Sequence, residues 1–136
     1  MKSKTFWMAL LAATTFGATA QKMKAGKVPA TVTAAFAQAY PNATDIHWEK
    51  EKSGDYEVEF ELDQVEMSVV YDAQGLEKEV ETEIAVSELP AAVQTALKGK
   101  RIKEAAKITK SGMTYYEAEV KRKDLMFDAS GKALDQ

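Results

Sequence analysis

Residues 56–71 read Y-E-V-E-F-E-L-D-Q-V-E-M-S-V-V-Y, two runs of alternating apolar and polar side chains joined by Asp63-Gln64. A period of two places the apolar side chains of a strand on one face of a sheet and the polar ones on the other. The short polar link between the runs predicts a β-hairpin. We therefore expect one buried face and one face covered with glutamates.

The segments around this hairpin predict a helix and further strands. Val28-Pro29 opens a stretch with apolar residues at helical spacing, and Tyr40-Pro41 closes it, because the residue before proline avoids the α region. A short strand is expected around Ile46-His47-Trp48. A turn, D-A-Q-G from Asp72, then leads into a strand over residues 76–84.

The same blocks occur a second time in the same order, which predicts a duplicated unit. V-P-A-T-V-T-A-A-F from Val28 is matched by L-P-A-A-V-Q-T-A-L from Leu89, and V-Y-D-A-Q-G from Val70 by M-F-D-A-S-G from Met126. We expect an α+β domain over residues 28–136, with repeat one at 28–88 and repeat two at 89–136. Each repeat supplies one helix and three to four antiparallel strands. Both helices are expected on one face of the sheet, and the other face is expected to be exposed to solvent.

The N-terminal 20 residues have the pattern of a signal peptide. Lys2 and Lys4 precede a short apolar stretch, and Ala18-Thr19-Ala20 is a small-residue cleavage site. We expect cleavage near Ala20-Gln21, a periplasmic or secreted location, and a flexible basic leader over residues 21–27. No later segment is apolar enough to span a membrane.

Composition excludes several kinds of chemistry. The chain has no cysteine, so disulfides, thiol catalysis and thiolate metal sites are ruled out. Charge is divided unevenly: residues 28–88 carry 15 acidic side chains against 3 lysines, a net −12, whereas residues 89–136 carry a net +4. A negative, exported chain is a poor candidate for nucleic-acid binding.

Motifs for catalysis or cofactor binding are weak. His47 is the only histidine, and no G-x-S-x-G surrounds a serine, so a hydrolase that uses His47 is the least favoured interpretation. The turns at Asp72 and Asp128 lack the ligand spacing of a calcium loop and are read as ordinary turns. No glycine-rich phosphate loop is present. We expect no catalytic residue, no metal and no cofactor.

The order of blocks resembles the secreted bacterial PepSY-like proteins, also described as β-lactamase-inhibitor-like. The resemblance rests on V-P-A-T-V-T-A-A-F-A-Q-A-Y-P-N-A, I-H-W-E-K-E, Y-E-V-E-F and V-Y-D-A-Q-G, and it covers about residues 28–135. It implies an α+β fold with a sheet covered by helices and no enzyme activity. The inhibitor that gives the family its name is disulfide-bonded, unlike this chain, so inhibition does not follow from fold alone.

The sequence predicts a non-enzymatic binding module. The module recognises a protein or peptide of basic character through the open sheet face. The alternative is an inhibitor of a periplasmic or secreted hydrolase that uses the same face. A second copy of the chain, joined through acidic and basic halves, is a further candidate partner. The remaining alternative is that the acidic face is only solvated and binds no partner. The candidate contact residues are Glu57, Glu59, Glu61, Glu66, Glu79, Glu81, Trp48 and Tyr115.

Overall fold

The fold is α+β, with one antiparallel sheet of eight strands in sequential order β1 to β8. The computed structural model describes residues 21–135. The predicted signal peptide lies outside the described residues. The strands are β1 (Gln21–Met23), β2 (Thr44–Lys50), β3 (Tyr56–Leu62), β4 (Val65–Tyr71), β5 (Glu77–Ile84), β6 (Ile102–Lys110), β7 (Met113–Val120) and β8 (Lys123–Asp128). The α-helices are α1 (Ala30–Ala39), between β1 and β2, and α2 (Ala91–Ala96), between β5 and β6.

The hairpin predicted at residues 56–71 is confirmed as β3 and β4. Its two-residue link, Asp63-Gln64, has positive φ at both positions, +50° and +68°. This conformation is typical of type I′ turns, whose twist matches that of the flanking strands. Ser111-Gly112 and Lys121-Arg122 repeat it between β6, β7 and β8. Short links of this kind keep sequential strands adjacent.

Each aspartate turn packs against a helix. The Asp72 carboxylate accepts hydrogen bonds from the backbone N–H groups of Gln74 and Leu76, both at 2.9 Å. The glycine that follows presses on the helix: a Cβ on Gly75 would lie 2.8 Å from the carbonyl oxygen of Thr31. The turn at Asp128 and Gly131 has the same arrangement against α2. These carboxylates therefore hold their own turns.

The core consists of two clusters on one face of the sheet, the apolar face. Val32 and Phe36 of α1 pack in the first cluster, whose sheet members include Val58 and Val69, paired neighbours on β3 and β4. The second cluster contains Val93 and Leu97 from the α2 segment. Its sheet members are Ala105, Ala118, Val120 and Phe127.

Residues 21–27 do not form the flexible leader that their composition suggests. Gln21–Met23 is strand β1, and its register pairs Lys22 with Glu49 and Met23 with Trp48. Residues 25–27 form a 3₁₀ turn. Met23 packs against the first core cluster, which gives the segment an apolar anchor. The strand consequently brings Lys22 beside Glu49 of β2.

Candidate functional site

The face opposite the core clusters, here the acidic face, gathers glutamates from neighbouring strands. Strand registers arrange its side chains in cross-strand rows. One row runs His47, Glu59, Ser68, Glu81, Ile108 and Tyr115. The adjacent row runs Glu49, Glu57, Val70, Glu79 and Lys110. Like charges in neighbouring positions across strands repel one another, so this arrangement has a cost in stability.

The acidic face is not the open, solvated surface that the alternation predicts. Glu57, Glu81 and Glu117 are only 5%, 6% and 5% exposed, and Glu79 is also buried. Alternation fixes which face a side chain occupies, but not how far the sheet coils around that face. An eight-stranded sheet twists and coils as its strands accumulate. We attribute the burial of these carboxylates to that coiling.

A cavity of about 140 Å³ lies on the acidic face. Five consecutive strands line it, through His47 of β2, Glu59 of β3, Ser68 of β4, Glu81 of β5 and Ala106 of β6. A single water needs roughly 10–15 Å³ of such volume, so the cavity has room for a group much larger than one water. Its lining also includes Asp45, Glu61, Glu66 and Glu83.

Burial makes the carboxylates of this face hard to ionise. It raises the pKa of Glu81 to about 7, with a further increase from Glu79 and Asp124. The pKa of Glu59 is about 8, chiefly through burial and then through the charge of Glu49. Burial likewise raises the pKa of Glu117 to about 8, with Glu81 as the next cause. Glu59, Glu81 and Glu117 therefore change charge near neutral pH rather than near pH 4.

Glu57 has the same property for a partly different reason. Burial raises its pKa strongly, and a hydrogen bond with Glu51 raises it further. The Ser68 hydroxyl hydrogen-bonds Glu57 and opposes this effect. Oxygen atoms of Glu57, Glu59, Glu81 and Glu117 are nevertheless buried with no hydrogen-bond partner in the structure. Buried polar atoms are rarely left in this state, so each calls for an explanation.

Basic side chains neutralise some of the carboxylates on the acidic face. Lys110 Nζ lies 3.0 Å from Glu79 Oε2, across the β5–β6 pair that joins the two halves of the chain. Lys103 Nζ lies 3.5 Å from Glu119 Oε1. Lys22 lowers the pKa of Glu59. Part of the basic half thus neutralises acidic strands of the same sheet, and the charged neighbours that act on the Glu81 pKa are acidic.

The predicted contact residues do not all lie together. Glu59, Glu61, Glu66 and Glu81 line the cavity, whereas Glu57 and Glu79 are buried beside it. Tyr115 lies on the acidic face, half-buried, and its hydroxyl contacts the Met113 sulfur at 3.5 Å.

Trp48 is on the apolar face, where its exposed fraction is 5% and its ring packs edge-on against Phe36 at a centroid distance of 5.4 Å. Its assignment as a contact residue was therefore wrong. Its sequence counterpart in the second repeat, Ile108, lies on the other face.

A β-bulge places Glu77 on the apolar face of the sheet instead of the acidic face. Glu77 belongs to the acidic series by sequence spacing, but the β4–β5 register shifts between Val70 and Tyr71. The shift pairs Glu77 with Tyr71, and the Tyr40 hydroxyl lies 3.5 Å from Glu77 Oε2. A bulge inserts one residue and so reverses the alternation beyond it. The single mismatched position is not visible in the sequence pattern.

His47 gains an acidic neighbour, and the arrangement still does not form a triad. Its Nε2 lies 3.2 Å from Asp45 Oδ1, and both residues line the cavity together with Ser68. Glu59 stands between His47 and Ser68 in the cross-strand row. The Ser68 hydroxyl hydrogen-bonds Glu57, whereas in a triad the nucleophile hydrogen-bonds its base.

The described residues contain no group of three or more His, Asp or Glu side chains placed to hold a metal ion. Among these residues, no helix is both long and apolar enough to cross a bilayer.

Comparison with known families identifies the sequence class. A family profile described as "Putative beta-lactamase-inhibitor-like, PepSY-like" matches twice, over residues 16–78 and 68–135. Together the matches cover most of the chain, as the sequence resemblance predicted. No curated protein matches.

Several solved structures share the fold. A BLIP-like protein from Bacteroides fragilis is 27% identical, with a TM-score of 0.63 over 79% of this chain and 84% of that one. A DUF2874 family protein from Bacteroides uniformis is 21% identical, with a TM-score of 0.68 over 79% and 86%. A protein described as a putative periplasmic protein from Bacteroides eggerthii is 19% identical, with a TM-score of 0.71 over 81% and 88%.

Proposed function

The chain belongs to the PepSY-like, β-lactamase-inhibitor-like family, and from this premise we propose that it is an exported, non-enzymatic binding module. Its partner is a protein or peptide with basic character, bound on the acidic face, while both helices cover the opposite face. Export rests on the signal-like segment at residues 1–20, with cleavage near Ala20-Gln21.

The observation that carries this proposal is a cavity lined by acidic residues on a sheet face whose carboxylates are largely buried. Glu59 and Glu81 each line the cavity and each have a buried oxygen without a hydrogen-bond partner in the structure. A cationic surface that covers the face would supply those missing partners and offset the repulsion between glutamates. Charge complementarity of this kind also speeds association and fixes its register.

The test is capture of a partner from periplasmic extract, with an exposed glutamate of the acidic face reversed in charge. Glu83→Lys is suitable because Glu83 is exposed and lines the cavity, whereas reversal of buried Glu57 would disturb the fold. Glu77→Lys is the matched control: it lies on the same strand and is exposed, but the bulge directs it to the other side. We expect Glu83→Lys to abolish capture, Glu77→Lys to retain it, and moderate salt to weaken it. Equal capture by all three proteins, insensitive to salt, would remove the acidic face as the binding site.

A second candidate, an inhibitor of a periplasmic or secreted hydrolase, is favoured by the description of the B. fragilis relative as BLIP-like. In this version, the same acidic face covers the hydrolase. Purified protein is then expected to slow one hydrolase at a stoichiometric dose, and Glu83→Lys is expected to relieve the inhibition. A broad panel of hydrolases that keep full activity would count against it.

A further inference from the structure

Glu81 combines burial, an unpartnered oxygen and a place in the cavity wall. Its side chain is 6% exposed, its Oε2 has no hydrogen-bond partner in the structure, and it lines the cavity near the middle of the sheet. An unmet buried oxygen normally finds an internal partner or water. Glu81 is also one of the residues that line a cavity large enough for a long side chain.

The chemistry around Glu81 favours one kind of occupant. Glu59 and Glu66 reach the same cavity from the two strands that precede β5. Glu59 also has an oxygen that is buried without a partner. The cavity therefore offers carboxylate acceptors from three strands, and Ala106 adds a small apolar contact.

We propose that this cavity receives one arginine side chain of a partner protein or peptide, with Glu81 and Glu59 accepting the hydrogen bonds of its guanidinium. Arginine has five N–H donors in a planar fork, is always charged, and is less strongly hydrated than lysine. These properties suit carboxylates that converge from several directions in a partly closed site. The inference rests on the proposed function, because it assigns the acidic face one specific anchor.

Other cations fit less well. The described residues hold no group of three or more acidic side chains placed to coordinate a metal ion, which disfavours calcium. Lys110, which reaches this face from β6, is already paired with Glu79. The cavity is therefore suited to a cation that arrives from outside the sheet.

The probe is a short blocked peptide with one arginine, compared with the same peptide carrying citrulline, which has nearly the same shape but no charge. Binding is followed by amide NMR shifts at cavity-lining Ser68 and Ala106. We expect saturable shifts for the arginine peptide and none for the citrulline peptide. Binding should weaken as the pH falls through about 8 and then about 7, because the guanidinium requires the ionised carboxylates of Glu59 and Glu81, whose pKa values burial raises to about 8 and about 7.

Glu81→Gln is the decisive variant, and Glu117→Gln is its control. Glu117 is equally buried on the same face, also has an unpartnered oxygen, and is not part of the cavity lining. We expect Glu81→Gln to weaken arginine-peptide binding at least about tenfold, as loss of a charge-assisted hydrogen bond does. Glu117→Gln should change it less than about twofold, because Glu117 does not line the cavity and, with a pKa of about 8, is mostly protonated near neutral pH.

Three outcomes would overturn the proposal: equal binding of the citrulline peptide, equal weakening by both variants, or calcium-induced shifts of the same amides without any response to arginine. Dimer formation that shifts those amides in the absence of peptide would assign the cavity to a second copy instead. If the arginine peptide fails while Glu83→Lys still abolishes partner capture, the acidic face binds its partner without this anchor. If both tests fail, the proposed function fails as well.

Discussion

Replacing Glu81 by glutamine should stabilise the protein near neutral pH and leave it almost unchanged in acid. Glutamine has the same shape as a protonated glutamate but never ionises. Burial raises the pKa of Glu81 from 4.5 to about 7, with Glu79 and Asp124 as lesser causes. A raised pKa of this size corresponds to about 3 kcal/mol of differential interaction between the two protonation states.

The sign follows from proton linkage. Because the folded-state pKa lies above the unfolded-state value, the folded protein binds the proton more tightly. The stability that depends on this proton is fully present below about pH 4.5 and is lost as the pH rises through about 7. Glu81→Gln should therefore exceed the wild type in free energy of unfolding by about 3 kcal/mol at about pH 8, and by less than about 1 kcal/mol at about pH 5.

Urea unfolding at both pH values, followed by circular dichroism, measures this difference. Glu83→Gln is the control, because Glu83 is exposed on the same strand and the same face. It is expected to change the free energy of unfolding by less than about 0.5 kcal/mol at either pH. If Glu81→Gln were destabilising at about pH 8, or if its effect were independent of pH, the ionised carboxylate would have a stabilising partner and the reasoning would be refuted.

Three further predictions concern the scaffold, each measured as the free energy of unfolding in denaturant. Leu97→Ala should cost about 2–5 kcal/mol because Leu97 is fully buried. Leu76→Ala should cost less than about 0.5 kcal/mol because Leu76 is 65% exposed. Similar costs for the two substitutions would contradict the assigned core. Gly131→Ala should destabilise the protein more than Gly54→Ala does. Both glycines have positive φ, but a Cβ on Gly131 would lie 2.5 Å from a carbonyl oxygen of α2, whereas a Cβ on Gly54 would meet no atom within 4 Å. Equal costs would show that the turn does not press on α2. Trp48→Ala should cost about 3–5 kcal/mol because Trp48 is buried. A negligible loss of stability would mean that Trp48 is exposed and not part of the core.

Much of the fold follows from local patterns. The alternation over residues 56–71 identifies β3 and β4, and the prolines at 29 and 90 stand immediately before α1 and α2. The D-A-x-G blocks identify turns whose aspartates accept backbone hydrogen bonds. These features depend on residues close together in the sequence, where backbone preferences and side-chain period act directly.

Other features could not be predicted from the sequence because they depend on contacts between residues far apart in the chain. The bulge that moves Glu77 off the acidic face arises from the pairing of β4 with β5. Strand β1 forms because Met23 packs against the first core cluster. Trp48 and Ile108 align in the two repeats but lie on opposite faces. A frame shift of one residue reverses the face, and composition does not reveal it.

The sequence alone determined that this chain forms antiparallel strands with one apolar and one glutamate-rich face, because a period of two is a property of consecutive residues. It also determined the uneven charge, net −12 over residues 28–88. Only the tertiary structure decided that the carboxylates of Glu81 and Glu117 are buried. Burial raises the pKa of Glu81 to about 7 and that of Glu117 to about 8. We attribute this burial to coiling of the sheet, which depends on how eight strands and two helices pack together.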